Sequence, residues 1–350
     1  MTARFSIEGR SVGSDAPVYI VAELSANHRN RYEDAVALVH AAHEAGADAV
    51  KVQTYTADTI TIDSDRPEFL IGGGSLWDGR RLYDLYAEAC MPWEWQPKLK
   101  ALAEDLRIHF FSTPFDFTAV GFLEALTVPA YKIASLELAD LPLVDRVAQT
   151  GKPVIMSTGA STLDEIAEAV DAVRATGNQA LALLKCTSAY PAPLNEMNLA
   201  TIPDLSARFE LPVGLSDHSL GIAAPVAAVA LGACIIEKHL TLSRSAAGPD
   251  NAFSLEPHEF EAMVAAVRAA EEALGEVSYE ITAHEATSRA FRRSLYVVAE
   301  VHTGEPFTSD NVRSIRPGNG LPPKHLTEVL GRCASRDIIA GTPLSWDLLA

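Results

Sequence analysis

Eight times along the chain a run of β-branched and apolar residues stops at a charged or hydroxyl side chain. The run 19–22 ends at Glu23, 49–52 carries Lys51 and meets Gln53, and 108–111 ends at Ser112 and Thr113. The run 131–134 carries Lys132 and ends at Ser135, 154–156 ends at Ser157, and 181–184 ends at Lys185 and Cys186. The run 213–215 ends at Ser216, Asp217 and His218, and 234–236 at Glu237, Lys238 and His239. Short apolar runs of this kind, set between helical patterns, read as buried parallel strands. Amphipathic stretches fill the gaps at 31–45, 119–126, 141–149, 162–175, 223–231 and 257–274, several of them stopped by a glycine. Strict β-α alternation predicts right-handed crossovers in an α/β fold, and eight units favour closure into a (β/α)8 TIM barrel. A Rossmann sheet is the alternative, but no Gly-x-Gly-x-x-Gly follows any of the runs. Polar residues at the C-terminal ends of all the strands are where such a barrel keeps an active site.

Two stretches depart from the alternation. Residues 55–92 are too long for an ordinary βα loop and contain three successive glycines (72–74) with Trp77, Tyr83 and Tyr86; on the catalytic face they predict a pocket wall or lid. Around 276–290 the pattern breaks into a polar linker, so residues 1–275 are expected to form the barrel and 291–350 a small β-rich domain. Within that domain the segment beginning at Val301 resembles the one beginning at Ile338, each with a Gly turn, a Pro and a later hydroxyl. Arg316 and the Pro-Gly-Asn-Gly after it lie between the two copies, on an expected exposed turn.

The length of 350 residues suits a barrel of about 250 with an appendage. A formal charge of −18 argues against nucleic acid as a partner. Neither a long apolar span nor a basic-then-apolar N-terminus is present, which gives the expectation of a soluble cytoplasmic protein with no membrane partner. Four separated cysteines without a Cys-x-x-Cys pair predict neither disulfides nor a zinc cage. Only eight lysines occur, and four of them, Lys51, Lys132, Lys185 and Lys238, fall at strand ends. Singly, each reads equally as a side chain paired with a carboxylate; together they predict an anion site at the barrel mouth.

His218 and His239 end the last two runs, where neighbouring strands bring imidazoles together as an open divalent-metal shell. With no thiolate set, Mn²⁺ or Mg²⁺ suits them better than structural zinc. The hydroxyls of Thr113, Ser135, Ser157 and Ser216 suit phosphate or carboxylate oxygens, though each could equally bond its own backbone. Glu23, Glu237 and Asp250 are the candidate carboxylates, for proton transfer or for pairing with Lys51 or Lys238.

Together these residues resemble the sialic acid synthase family, which condenses phosphoenolpyruvate with an amino-sugar aldehyde. The segments carrying the resemblance span essentially the whole chain. They are Val21-Ala-Glu-Leu-Ser-Ala-Asn-His28, Lys51-Val-Gln53, Ser112-Thr-Pro-Phe115, Tyr131-Lys-Ile-Ala-Ser135, Ser157-Thr-Gly159, Cys186-Thr-Ser-Ala-Tyr-Pro191, Gly214-Leu-Ser-Asp-His218, Glu237-Lys-His239 and Arg316-Pro-Gly-Asn-Gly320. The family's architecture is a TIM barrel followed by an antifreeze-like (SAF, β-clip) domain. The segments 53–58, 75–77, 82–86, 92–95, 252–257, 291–296 and 341–347 are similar to the subgroup acting on 2,4-diacetamido-2,4,6-trideoxy-L-altrose. Ser188 departs from the asparagine of the N-acetylneuraminate enzymes, and Ser25-Ala26 from a more usual glycine-containing pair.

The resemblance implies that His218 and His239 hold Mn²⁺ or Mg²⁺. It implies that Lys51, Thr113, Lys132, Ser135, Ser157, Ser188 and Ser216 bind phosphoenolpyruvate, and that Gln53, Tyr190, Asp250 and Arg316 contact the sugar. Glu23 and Glu237 would move protons and stabilise charge. Arg316 would reach the site from a partner subunit, in a domain-swapped homodimer. The alternatives are an N-acetylneuraminate or legionaminate synthase, a 2-keto-3-deoxy sugar-acid phosphate synthase, or a non-enzymatic glycan- or ice-binding protein.

Overall fold

The eight apolar runs become the strands of one closed parallel barrel. After a hairpin of β1 (Arg4–Ile7) and β2 (Arg10–Gly13) come β3 (Tyr19–Glu23), β4 (Ala49–Thr54), β5 (His109–Pro114) and β6 (Tyr131–Ile133). β7 (Val154–Ser157), β8 (Leu181–Cys186), β9 (Val213–Asp217) and β10 (Ile235–His239) complete the ring. Neighbours in the chain are neighbours in the barrel, and β10 closes onto β3 with His239 opposite Glu23. The computed structural model describes residues 4–350 except Ser75, which lies outside the described residues together with that part of the 75–77 segment.

Side chains on a strand alternate between faces with a period of two, and in this barrel the period decides everything about the site. Tyr19, Val21, Ala49, Phe111, Ile155, Leu184 and Ile235 point inward and fill the lower barrel, with Ile7 and Val12 of the hairpin packed among them. Ile20, Val50, Val52, Leu183, Leu215 and Ile236 point outward, into the larger core shared with the helices. One step further along each strand, the inward positions become polar.

The helices start and stop for local reasons. Thr162 and Glu165 exchange side-chain and backbone hydrogen bonds as a capping box before the helix Leu163–Ala175. Asp116 accepts from the backbone N–H groups of Thr118 and Ala119 ahead of Phe117–Ala125. Two helices go beyond the apolar periodicity: Gln96–Asp105, which leads to β5, and Thr201–Phe209, which leads to β9. Pro97 and Pro203 argue for breaks there, but both sit in the first turn, where a missing N–H costs nothing.

The chain divides into two compact units, the second being Glu276–Ala350. Its strands β11 (Ser294–Val297) and β12 (Val312–Ile315) pair antiparallel. The two copies of the internal repeat meet directly: Val301 and Ile338 exchange backbone hydrogen bonds of 3.0 and 2.8 Å. The equivalent glycines, Gly304 and Gly341, have φ of 83° and 89°, the left-handed conformation each turn requires. Leu295, Val297, Val301, Phe307, Ile338 and Leu344 form this unit's own core. The segment expected to be a linker contains a short exposed helix, Ala283–Arg289, started by a Thr282–Glu285 capping box.

Candidate active site

The inward polar positions converge at the C-terminal mouth on a cavity of about 320 Å³. On its floor, Lys51 Nζ lies 2.6 Å from Glu23 Oε2 and 3.5 Å from Glu237 Oε1. Lys132 Nζ approaches the same Glu237 oxygen at 3.7 Å and donates to Ser157 Oγ at 2.6 Å. Ser216 Oγ donates to Glu237 Oε1 at 2.9 Å, and Lys51 donates to Thr113 Oγ1 at 3.3 Å. All these groups are buried, so their charges act in a medium that screens poorly.

Burial divides the two carboxylates. It pushes the Glu23 carboxyl up, and Lys51 offsets that push only in part. Burial acts on Glu237 in the same direction, but the ammonium groups of Lys132 and Lys51 outweigh it and hold that carboxyl low. Lys132 is pulled down by burial, whereas the two carboxylates keep Lys51 up against the same force.

Beside this cluster the backbone N–H of Gly159 donates to Ser135 Oγ at 3.1 Å. A Cβ at Gly159 would stand 2.3 Å from Ser188 Oγ and 2.8 Å from Ser135 Oγ. Only glycine allows those hydroxyls to gather there. Ser135, Ser188 and the Cys186 thiol therefore crowd the space beside Gly159.

Across Cys186, whose Sγ is 3.8 Å from His218 Nδ1, the rings of His218 and His239 lie 5.2 Å apart. Tyr190 packs tilted against His218 at 4.4 Å, and Phe253 meets His239 edge to face at 5.0 Å. His218 Nδ1 is 3.1 Å from the Thr187 carbonyl, a bond that requires Nδ1–H and, in the neutral ring, leaves the lone pair on Nε2. His239 Nδ1 is buried without a hydrogen-bond partner, and burial, followed by the charge of His218, keeps this imidazole neutral. Burial pulls His218 down, but Cys186 and the Thr187 carbonyl outweigh it and hold that imidazole up; with His218 in its neutral form, the two buried imidazoles fit a divalent cation. No group of three or more His, Cys, Asp or Glu side chains among the described residues could enclose one, so the remaining coordination positions would fall to substrate and water.

Gln53 Nε2 donates to Glu23 Oε1 at 3.3 Å and to Ser25 Oγ at 3.0 Å, and Ser25 Oγ donates in turn to Asp250. Gln53, Tyr190 and Asp250 all line the cavity. Thr113 and Ser188 lie just behind its surface. Arg316 belongs to the second unit, on the exposed turn after β12.

The expectation of four lysines at the mouth is corrected. Lys51 and Lys132 are there, but Lys238 points outward, sealed in a fully buried pair with Asp217 at 2.6 Å. Lys185 also faces outward, donating to the Cys186 carbonyl at 2.7 Å. The strand period was the available signal: Lys238 is one residue out of step with Glu237 and His239. Asp217 is accordingly no neighbour of the histidine lone pairs. Sequence reasoning missed Glu137, which lines the cavity two residues beyond Ser135 and whose carboxyl burial pushes up. It also missed the structural part played by Ser25.

A family model described as the NeuB family matches residues 38–279, and the SAF domain model matches 292–350. The pseudaminic acid synthase of Campylobacter jejuni subsp. jejuni serotype O:23/36 is 46% identical over 331 residues, 95% of this chain and 96% of that protein. The pseudaminic acid synthase of Helicobacter pylori is 43% identical over 332 residues, 95% and 97% of the two chains. The crystal structure of an N-acetylneuraminic acid (sialic acid) synthetase from Leptospira borgpetersenii, in complex with citrate, superposes with a TM-score of 0.73 at 31% identity. That match covers 82% of this chain and 95% of the Leptospira chain.

Proposed function

The chain belongs to the NeuB family and carries its SAF domain, and from that premise we propose that it is a pseudaminic acid synthase. The reaction is condensation of phosphoenolpyruvate, water and open-chain 2,4-diacetamido-2,4,6-trideoxy-L-altrose to pseudaminic acid and phosphate. The observation that carries this reading is the Lys51–Glu237–Lys132 cluster beside the Ser135–Gly159–Ser188 cradle, at the floor of a cavity whose other lining residues add no lysine or arginine. One phosphorylated substrate is thus accommodated at the floor, and the sugar above it is neutral.

Lys51, Lys132, Ser135, Ser157, Ser188 and Ser216, with Thr113 supporting Lys51, hold the phosphoenolpyruvate anion. Gln53, Tyr190 and Asp250 orient the sugar so that its aldehyde carbon faces C3 of the enol. A divalent cation such as Mn²⁺ or Mg²⁺, held by His218 and His239, would supply Lewis-acid polarisation of the aldehyde oxygen. As C3 bonds to the aldehyde carbon, positive charge develops at C2 of the former phosphoenolpyruvate. Glu237, kept ionised by its two lysines, faces that charge. Glu23, whose burial favours the protonated form, is the group placed to give a proton to the new hydroxyl oxygen and to take one from the water adding at C2. Phosphate then leaves with cleavage of its C–O bond. Arg316 of a second subunit completes the sugar site in a domain-swapped homodimer, and an enzyme fed by phosphoenolpyruvate works in the cytoplasm.

The test is phosphate release from phosphoenolpyruvate with Mn²⁺ and each candidate sugar in turn. The expected result is fastest turnover with the 6-deoxy diacetamido altrose. Faster turnover with N-acetylmannosamine or with the legionaminate precursor would overturn the assignment.

A further inference from the structure

The insert between β4 and the helix Gln96–Asp105 sorts its side chains by polarity more sharply than a surface lid requires. Its helix Leu82–Ala89 places Leu82, Leu85, Tyr86 and Ala89 on the cavity wall, an i, i+3, i+4, i+7 stripe along one face. Ile60 and Ile71 extend the same wall. The insert's charges are used elsewhere: Arg81 bridges Asp63, Asp65 and Asp84, Arg80 holds Glu88, and Arg66 holds Glu68. Among the described residues, no charged residue of the insert lines the cavity. Leu85 is buried, but Ile60, Ile71 and Leu82 remain only half-buried. Apolar surface is thus left open toward a substrate site, and burying it is favourable only when an apolar group arrives.

We propose that Ile60, Ile71 and Leu82 form the subsite for the C6 methyl group of the sugar and select against a hydroxyl at that carbon. The inference rests on the function proposed above. Carbon 1 of the sugar must lie at the floor, near the histidine pair and the phosphoenolpyruvate cradle, and the acetamido group on C2 stays close to it. C6 is the far end of the open chain, and the insert is the element that rises beyond the strand ends. A 6-hydroxyl against these three side chains would give up its water without gaining a partner.

The experiment compares kcat/KM for 2,4-diacetamido-2,4,6-trideoxy-L-altrose with that for its 6-hydroxy counterpart, in the wild type and in Ile71→Ser, Leu82→Ser and Ile71→Val. Both sugars are measured on one preparation, so the ratio is independent of the fraction of folded enzyme. The wild type should prefer the deoxy sugar by roughly 10- to 100-fold. Either serine variant should lower that preference about tenfold, mostly through slower use of the deoxy sugar, while Ile71→Val keeps it. Turnover of the deoxy sugar with the same ratio in both serine variants would overturn the subsite and leave the synthase assignment standing. No turnover of the deoxy sugar by the wild type would overturn both.

Discussion

At the scale of single residues, the buried pair of Lys238 and Asp217 separates support from chemistry. It joins β9 to β10 behind the two histidines, with Ser219 bonded to both partners. Removing one member leaves an uncompensated charge in the core. Asp217→Asn should therefore cost roughly 3–5 kcal/mol of stability in urea unfolding. The double variant Asp217→Leu with Lys238→Met should recover most of the loss, because replacing a whole buried pair by apolar groups is often neutral. A loss below about 1 kcal/mol in Asp217→Asn would mean that the pair is solvated. The sequence contained the information that separates Lys238 from Lys51, since the period of two along β10 assigns Glu237 and His239 to one face and Lys238 to the other. Proximity along the chain obscured it. The division between Glu23 and Glu237 was not legible at all, because it depends on three lysine–carboxylate distances set by four different strands.

At the scale of elements, the barrel was legible strand by strand, since buried parallel strands are continuous apolar runs and their polar ends are abrupt. The insert was legible only as a length. Its organisation depends on which charges find one another, and Arg81 is the node: its guanidinium holds Asp63 and Asp65 in the preceding loop and Asp84 in its own helix. Arg81→Ala should loosen residues 61–81 without touching the barrel. Limited proteolysis should show cleavage in that stretch at a severalfold higher rate, with the KM for phosphoenolpyruvate unchanged and that for the sugar raised. Equal proteolysis of variant and wild type would show that the apolar wall alone fixes the insert. The helices at 96–105 and 201–209 escaped the sequence reading for a different reason: each carries proline in its first turn and few apolar positions.

At the scale of the whole molecule, the proposed reach of Arg316 into a second chain's barrel carries a testable consequence. Arg316→Ala retains an intact barrel, and Glu237→Gln retains an intact Arg316. If the arginine acts across a dimer, mixing the two inactive variants one-to-one through unfolding and refolding should restore about a quarter of wild-type activity, because half the dimers are mixed and each has one complete site. Recovery of no activity, with mixed dimers verified by differential tagging, would place Arg316 in its own chain's site.

The central claim is that this barrel joins phosphoenolpyruvate to a 6-deoxy diacetamido sugar while breaking the C–O bond to phosphate. The most direct measurement uses phosphoenolpyruvate labelled with ¹⁸O at the bridging oxygen, the deoxy sugar and Mn²⁺, followed by mass spectrometry of both products. The expected result is label in the released phosphate and an unlabelled product of the mass of pseudaminic acid. Label retained on C2 of the product, or phosphate released with no condensation product, would contradict it.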